Sequence, residues 1–351
     1  MTESRIPGLY KAVVCPGPHQ GWKIIDVKTR ELKPHEVFIK VHSSGICGSD
    51  HFVEDGSWPG VDYPRIAGHE VIGRVVATGS AVDQQRLKDG SLVGIGWSGG
   101  YCHTCGPCMQ GDFAGCKTSQ YSGFSFDGGH GEYAYAPETA VVSIPEEALK
   151  NASYAELAPL MCAGTTVFGA IRTSKWNPGD ICIVQGIGGL GHLAIQYAAK
   201  LGLKVYAVSS GTSKAALAKT LGAHEHVDSS QVNVVEYFQA LGGAKLILCT
   251  APSAKHITSI IPAVGRNGTI TLVSAATDGN IEVSNLLLNM NRAQLRGWSC
   301  GANSDSEECI RFSTLADIKS IVKTFTLEQF DEAYQDLIVG RPQFRNVIVF
   351  Q

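Results

Sequence analysis

Along the first third of the chain, apolar and polar residues alternate in short runs. Val37-Phe38-Ile39-Lys40-Val41 is one such run, and 71–77 and 92–95 continue the texture. A period of two predicts half-buried strands, and the Gly- and Pro-rich stretches between them predict turns. After Ser153 the pattern changes. Ser153-Tyr154-Ala155-Glu156 has the form of a capping box ahead of a helix, a serine answered three residues later by a glutamate. From there strand-like segments (180–185, 204–208, 245–250, 269–274) alternate with helix-like ones (190–201, 214–221). That βαβ order predicts a parallel sheet. The C-terminal part predicts a helix over 326–339 and a strand around 346–350. The expected fold class is therefore α/β: a β-rich part, then a doubly wound part, with a tail that rejoins the first.

Composition narrows the function. The chain has 351 residues, 44% hydrophobic and 17% charged, which is ordinary for a globular protein with room for two domains. A net charge of −3 gives no general pull toward nucleic acid or an anionic membrane. The N-terminus lacks an apolar stretch followed by a small-residue cleavage site, and no apolar run is long enough to span a bilayer. A cytoplasmic protein with neither nucleic-acid nor membrane partners is expected.

The strand-like ICIVQ runs into Gly186-Ile187-Gly188-Gly189-Leu190-Gly191 and then into a helical stretch. A GxGxxG between a buried strand and a helix predicts a dinucleotide site. Its glycines let the backbone approach a pyrophosphate, and the helix N-terminus offers unpaired N–H groups. The end of the next strand selects the cofactor. NAD-binding folds place an acid there for the ribose hydroxyls. Here the position is Ser209, no acid occurs between Gly191 and Glu225, and Ser210, Thr212, Ser213 and Lys214 follow. Small hydroxyls beside a cation suit a 2′-phosphate, so NADP(H) is expected over NAD(H).

Eleven cysteines in a chain without a secretion signal argue against a disulfide framework. Four of them, Cys102, Cys105, Cys108 and Cys116, fall within fifteen residues. Overlapping CxxC steps interrupted by Gly and Pro do not match a thioredoxin-like pair. Gaps of two, two and seven residues, with Lys117 after the last cysteine, do not match a ferredoxin-type cluster. Four thiolates on a small loop suit structural zinc. Three further fragments, Cys47-Gly48-Ser49-Asp50, Gly68-His69-Glu70 and the segment around Cys162, add two thiolates and an imidazole. Such a set leaves zinc one open position.

With CGSD, GHE, the four-cysteine knot, the Cys162 segment and GIGGLG in this order, the chain resembles the zinc-dependent medium-chain alcohol dehydrogenases over essentially its whole length. It looks most like their NADP-preferring cinnamyl-type members. For that family two thiolates and one imidazole are the known catalytic zinc set. The resemblance implies a GroES-like catalytic domain over 1–155 with a return over 301–351, and a Rossmann domain over 156–300. It implies two zinc ions per chain: a structural one in the Cys102 knot and a catalytic one on Cys47, His69 and Cys162, with Glu70 behind it. Asp50 would hold the His69 ring, Ser49 would pass a proton to or from the substrate oxygen, and Thr166 would pack on the nicotinamide. Arg345 would reach the cofactor phosphates, and Trp58 and Trp97 would line the substrate pocket. A homodimer or homotetramer that moves hydride between NADP(H) and a small aldehyde or alcohol follows from the same resemblance.

Two departures stand out. Many members carry a histidine five residues after the first zinc cysteine, as a proton relay. Here that residue is Phe52, with a histidine one step earlier at His51. Neighbouring residues on an extended segment point apart, so His51 is not expected to substitute. If protonation is impaired, an iminium or conjugated C=C becomes an alternative substrate. Gly48 stands where some members use a basic residue on the pyrophosphate. A non-catalytic zinc- and nucleotide-binding protein is the remaining reading, and the intact Cys47, Ser49, His69 and Cys162 speak against it.

Overall fold

The alternating run around 37–41 becomes the strand Glu36–Gly45 in the computed structural model, which describes residues 6–340 and 344–351. Around it lies a seven-stranded sheet in the order Val322–Phe325, Arg345–Val349, Glu36–Gly45, Val71–Thr78, Leu92–Ile95, Val141–Ser143. Tyr133–Pro137 also pairs with Glu36–Gly45. Val37, Ile39, Val41, Val71, Val93 and Ile95 bury their side chains together in its core, as alternation requires. The tail does rejoin this part. Arg345–Val349 runs antiparallel to Glu36–Gly45, with Ile348 opposite Ser44. The helix expected over 326–339 starts as a 3-10 turn, Leu327–Gln329, and becomes α-helical over Phe330–Ile338. Tight first turns of this kind are common at helix starts.

The second half forms a six-stranded sheet whose neighbouring strands are all parallel. Its order is Glu225–Asp228, Lys204–Ser209, Ile181–Gln185, Ala244–Cys249, Val264–Leu272, Gln294–Gly297. Chain order reverses on either side of Ile181–Gln185, which is where a doubly wound sheet opens a ligand crevice at its strand ends. The two outer strands have no sequence signature because EHVD and QLRG are short and largely polar.

The chain divides into two compact units. One runs to Thr165 and resumes at Gly301, and the other covers Thr166–Cys300. The seam falls after the helix Tyr154–Leu157 rather than within it, where the boundary between 155 and 156 was expected. That helix packs on Glu36–Gly45 and Val71–Thr78, and the Ser43 hydroxyl donates to the Tyr154 carbonyl at 2.7 Å. Its capping box is formed on both sides, with Glu156 N–H on Ser153 Oγ at 3.3 Å and Ser153 N–H on Glu156 Oε2 at 2.7 Å. Among the described residues no single helix is long and apolar enough to cross a membrane.

Candidate active site

Two neighbouring strands bring the first cluster together. Cys47 follows the end of Glu36–Gly45 and N-caps the turn Gly48–Asp50, while His69 and Glu70 immediately precede Val71–Thr78. Cys162 closes the buried turn Ala158–Met161. One ligand atom from each of Cys47, His69, Glu70 and Cys162 lies within 4.8 Å of all the others. The two sulfurs are 3.9 Å apart. Contact with Cys162 holds the Cys47 thiol well below its ordinary range against the opposing effect of burial, with help from the charges of His69 and Arg345. Burial alone would lower His69, but the neighbouring Cys47 thiolate raises it to about 9. Two thiolates, an imidazole and a carboxylate at this spacing fit zinc.

Asp50 and Glu70 are both fully buried. Asp50 Oδ1 is 3.6 Å from His69 Nδ1, facing it without a formed hydrogen bond. That leaves Nε2 as the nitrogen available to a metal. Asp50 Oδ2 accepts the Cys47 amide at 2.9 Å and lies 3.2 Å from His130 Nε2. Burial raises Glu70 to about 7, even with the Arg345 guanidinium bound to its Oε1. Arg345, which the resemblance assigns to the cofactor phosphates, is 6% exposed, with its guanidinium on Glu70 and 3.4 Å from the Ile46 carbonyl. A buried carboxylate needs a charge partner, and Arg345 is the cation at hand.

Ser49 Oγ lies 3.6 Å from Cys47 Sγ, beside the cluster. The next residues are not extended, as the relay argument assumed, but form a helical turn, His51–Glu54. His51 Nδ1 is 2.9 Å from the Tyr334 hydroxyl, and Glu54 and Asp55 carboxylates lie at 3.7 and 3.6 Å. Phe52 joins the aromatic cluster that includes Trp58 and Trp97. Trp97 stands edge-on to the His69 ring at 4.9 Å, and Trp58 is 5.6 Å from Trp97. Tyr121 and Phe124 complete the wall, each 5.0 Å from Trp97. No motif flagged these two, because aromatic residues in a loop are indistinguishable from packing.

The four-cysteine knot closes as its spacing suggests. The sulfurs of Cys102, Cys105, Cys108 and Cys116 lie within 4.8 Å of one another. Backbone N–H groups of Thr104 and Cys105 hold the Cys102 thiol down to about 5, which suits a thiolate ligand.

In the second unit, a cavity of about 460 Å³ opens over the glycine loop. Gly186, Gly188 and Gly189 line it, and a Cβ on Gly188 would meet nothing within 4 Å. Leu190 caps the helix Gly191–Lys200, and a Cβ on Gly191 would collide with the Gly186 carbonyl. Ser209, Ser210, Ser213 and Lys214 line the same cavity, as the sequence predicts. Lys214 Nζ donates to the Ile187 carbonyl at 2.8 Å, and Ser209 Oγ is 2.9 Å from His226 Nε2. Tertiary packing adds Ser229, Thr250, His256 and Ser259. It also brings an acid into register with Ser209, Asp228 on the next strand. That carboxylate accepts from Ser230 N, Ser230 Oγ and Gly211 N at 2.9, 2.7 and 2.8 Å, and it does not line the cavity. Thr166 is buried on the helix Ala163–Arg172.

Comparison with known proteins agrees with this construction. Residues 33–146 match the alcohol dehydrogenase GroES-like domain, and residues 189–315 match the zinc-binding dehydrogenase domain. The chain is 38% identical over 345 residues to alcohol dehydrogenase patD of Penicillium expansum, covering 98% of this chain and 99% of that one. An alcohol dehydrogenase of Geobacillus stearothermophilus is 32% identical over 341 residues, covering 96% and 98%. Among solved structures, CAD from Helicobacter pylori complexed with NADP(H) superposes with a TM-score of 0.83 at 25% identity, covering 97% and 98%. A cinnamyl alcohol dehydrogenase of Sorghum bicolor reaches 0.86 at 24% identity, covering 97% of each chain, and shares the fold. With a strand-loop-helix nucleotide site, a thiolate–imidazole cluster and relatives matched from end to end, the chain belongs to the zinc-dependent medium-chain alcohol dehydrogenase family.

Proposed function

We propose that this alcohol dehydrogenase uses NADP(H) and works chiefly as a reductase of flat, apolar or aromatic aldehydes. One observation carries the cofactor assignment. The nucleotide cavity is lined by Lys214, His256 and a run of hydroxyl side chains, and by no acid. A 2′-phosphate is attracted there, whereas the acid that would take a bare ribose is absent from the lining. The Trp58, Trp97, Tyr121 and Phe124 wall beside His69 supports a flat apolar substrate over a polyol.

Cys47, His69 and Cys162 would hold the catalytic zinc, and Cys102, Cys105, Cys108 and Cys116 a structural one. Bound there, zinc supplies Lewis acidity toward the substrate oxygen and the nicotinamide supplies hydride to the carbonyl carbon. The chain's own groups do the rest. Asp50 orients His69, Arg345 compensates the charge of Glu70, the aromatic wall excludes water, and Ser49 delivers the proton to the substrate oxygen. Thr166 would pack on a bound nicotinamide. A reducing compartment such as the cytoplasm suits a chain whose ligand thiols must stay reduced. A homodimer or homotetramer belongs to the same reading, covering Leu286 and Met290, each 65% exposed.

Phe52 and the engagement of His51 by Tyr334 favour one alternative, reduction of an iminium or conjugated C=C that needs no relay from His51. Turnover of those substrates without turnover of aldehydes would select it. The cofactor assignment is tested by titrating NADPH and NADH against tryptophan fluorescence in wild type and Ser209→Asp. Wild type is expected to bind NADPH at least tenfold more tightly, and the added acid to remove about 1.4 kcal/mol or more of that preference. Equal binding of the two by wild type contradicts it.

A further inference from the structure

We propose that His130 is a positioning residue for the metal centre, acting through Asp50. The inference rests on the reading of Cys47, His69 and Cys162 as zinc ligands. Asp50 is fully buried, and an ionised carboxylate can only accept hydrogen bonds, so each polar neighbour of such a group must donate. Oδ2 takes the Cys47 amide at 2.9 Å and faces His130 Nε2 at 3.2 Å. His130 Nε2 therefore carries a proton. The other ring nitrogen, Nδ1, lies 2.8 Å from Ser44 Oγ. Both nitrogens are engaged, and the ring is wholly buried.

The surroundings hold this ring in place. Phe330 packs on it at 4.9 Å and 64°. On another side it meets Gly68, where a Cβ would lie only 2.7 Å from Nδ1 and where φ is +103°. Any other residue at 68 would be strained and would displace the imidazole. The His130 N–H bonds the Ala67 carbonyl and the Gly129 N–H the Gly68 carbonyl, both at 3.0 Å. The loop carrying His130 is thus stitched to the segment that leads into His69. Ser44 sits in the central strand, paired with Val71.

A rigid sheet position therefore orients a serine, the serine orients His130, and His130 with the Cys47 amide pins Oδ2. Rotation of the carboxylate is blocked, and Oδ1 is left facing His69 Nδ1 at 3.6 Å. The same carboxylate touches the backbone of one proposed ligand and the ring of another. His130 thereby sets the geometry of two ligands without touching the metal. Nothing in the sequence around GGHGEY announces this, since a lone histidine there reads as a core residue.

The test compares wild type with His130→Phe and His130→Gln, each purified with zinc. Zinc per chain is counted first, then its release to a chelator is timed, and the absorption of the cobalt(II)-substituted protein is recorded. Loss of a group that supports a metal ligand typically weakens metal binding about 10–100-fold, and His130 acts one contact further out, through Asp50. His130→Phe is expected to release one zinc about tenfold faster and to shift the cobalt spectrum. His130→Gln, which keeps an N–H near the Nε2 position, is expected to restore slow release. Release and spectrum like wild type in His130→Phe overturn the proposal. Should His130→Phe fail to fold, Ser44→Ala removes the hydroxyl that orients the ring, and unaltered zinc release there overturns the proposal equally. A wild type holding zinc only in the Cys102 knot overturns the ligand reading itself, and this inference with it.

Discussion

At the scale of single residues, the site is organised by buried charge. Glu70 and Arg345 are paired out of reach of solvent, with side chains 0% and 7% exposed. Such a pair adds little net stability over an apolar pair of the same size, but removing one member strands the other charge. Arg345→Leu is therefore expected to destabilise the protein by about 3–5 kcal/mol in urea unfolding. Arg345→Leu combined with Glu70→Gln should recover much of that loss. A double variant no more stable than the single one would show that Arg345 acts through something other than Glu70. The residues that carry donor atoms were legible because their types are rare and chemically narrow: Cys47, His69, Cys162 and the four-cysteine knot. The partners of the supporting Glu70 and Asp50 were not. Arg345 and His130 reach Glu70 and Asp50 across sequence separations of 275 and 80 residues, and no local pattern encodes such contacts.

At the scale of elements, legibility follows locality. The glycine loop could be read because strand, turn and helix are consecutive, and the turn's chemistry is set by residues that sit inside it. The capping box at Ser153 was readable for the same reason. Glu225–Asp228 and Gln294–Gly297 were not, since edge strands are defined by their neighbours rather than by an alternation of their own. The loop around the Cys102 knot is an extreme case. Its one short helix, Gly106–Met109, has only four residues, so cross-linking through the sulfurs must hold it. Structural zinc contributes folding free energy directly. Cys102→Ser should lose one zinc per chain and lower the melting temperature by about 5–10 °C, while aldehyde turnover at 25 °C stays near wild type. Loss of that zinc with unchanged melting would contradict the role as a staple.

At the scale of the molecule, the two compact units divide the labour. The unit formed by the N-terminal part and its C-terminal return holds both cysteine clusters, and the parallel-sheet unit holds the nucleotide cavity. Alternation followed by βαβ order was enough to foresee that division, and the return of the tail was visible as a final strand after a helix. The proposed substrate wall was less legible, because half of it comes from Tyr121 and Phe124, which no motif marks. The proposed function requires the joint use of a 2′-phosphorylated cofactor and an aldehyde. The most direct measurement is kcat/KM for cinnamaldehyde or benzaldehyde on the zinc-loaded protein, with NADPH and with NADH in parallel. Ready reduction with NADPH is expected, and a rate at least about tenfold lower with NADH, a difference of about 1.4 kcal/mol. Equal or faster reduction with NADH would contradict it.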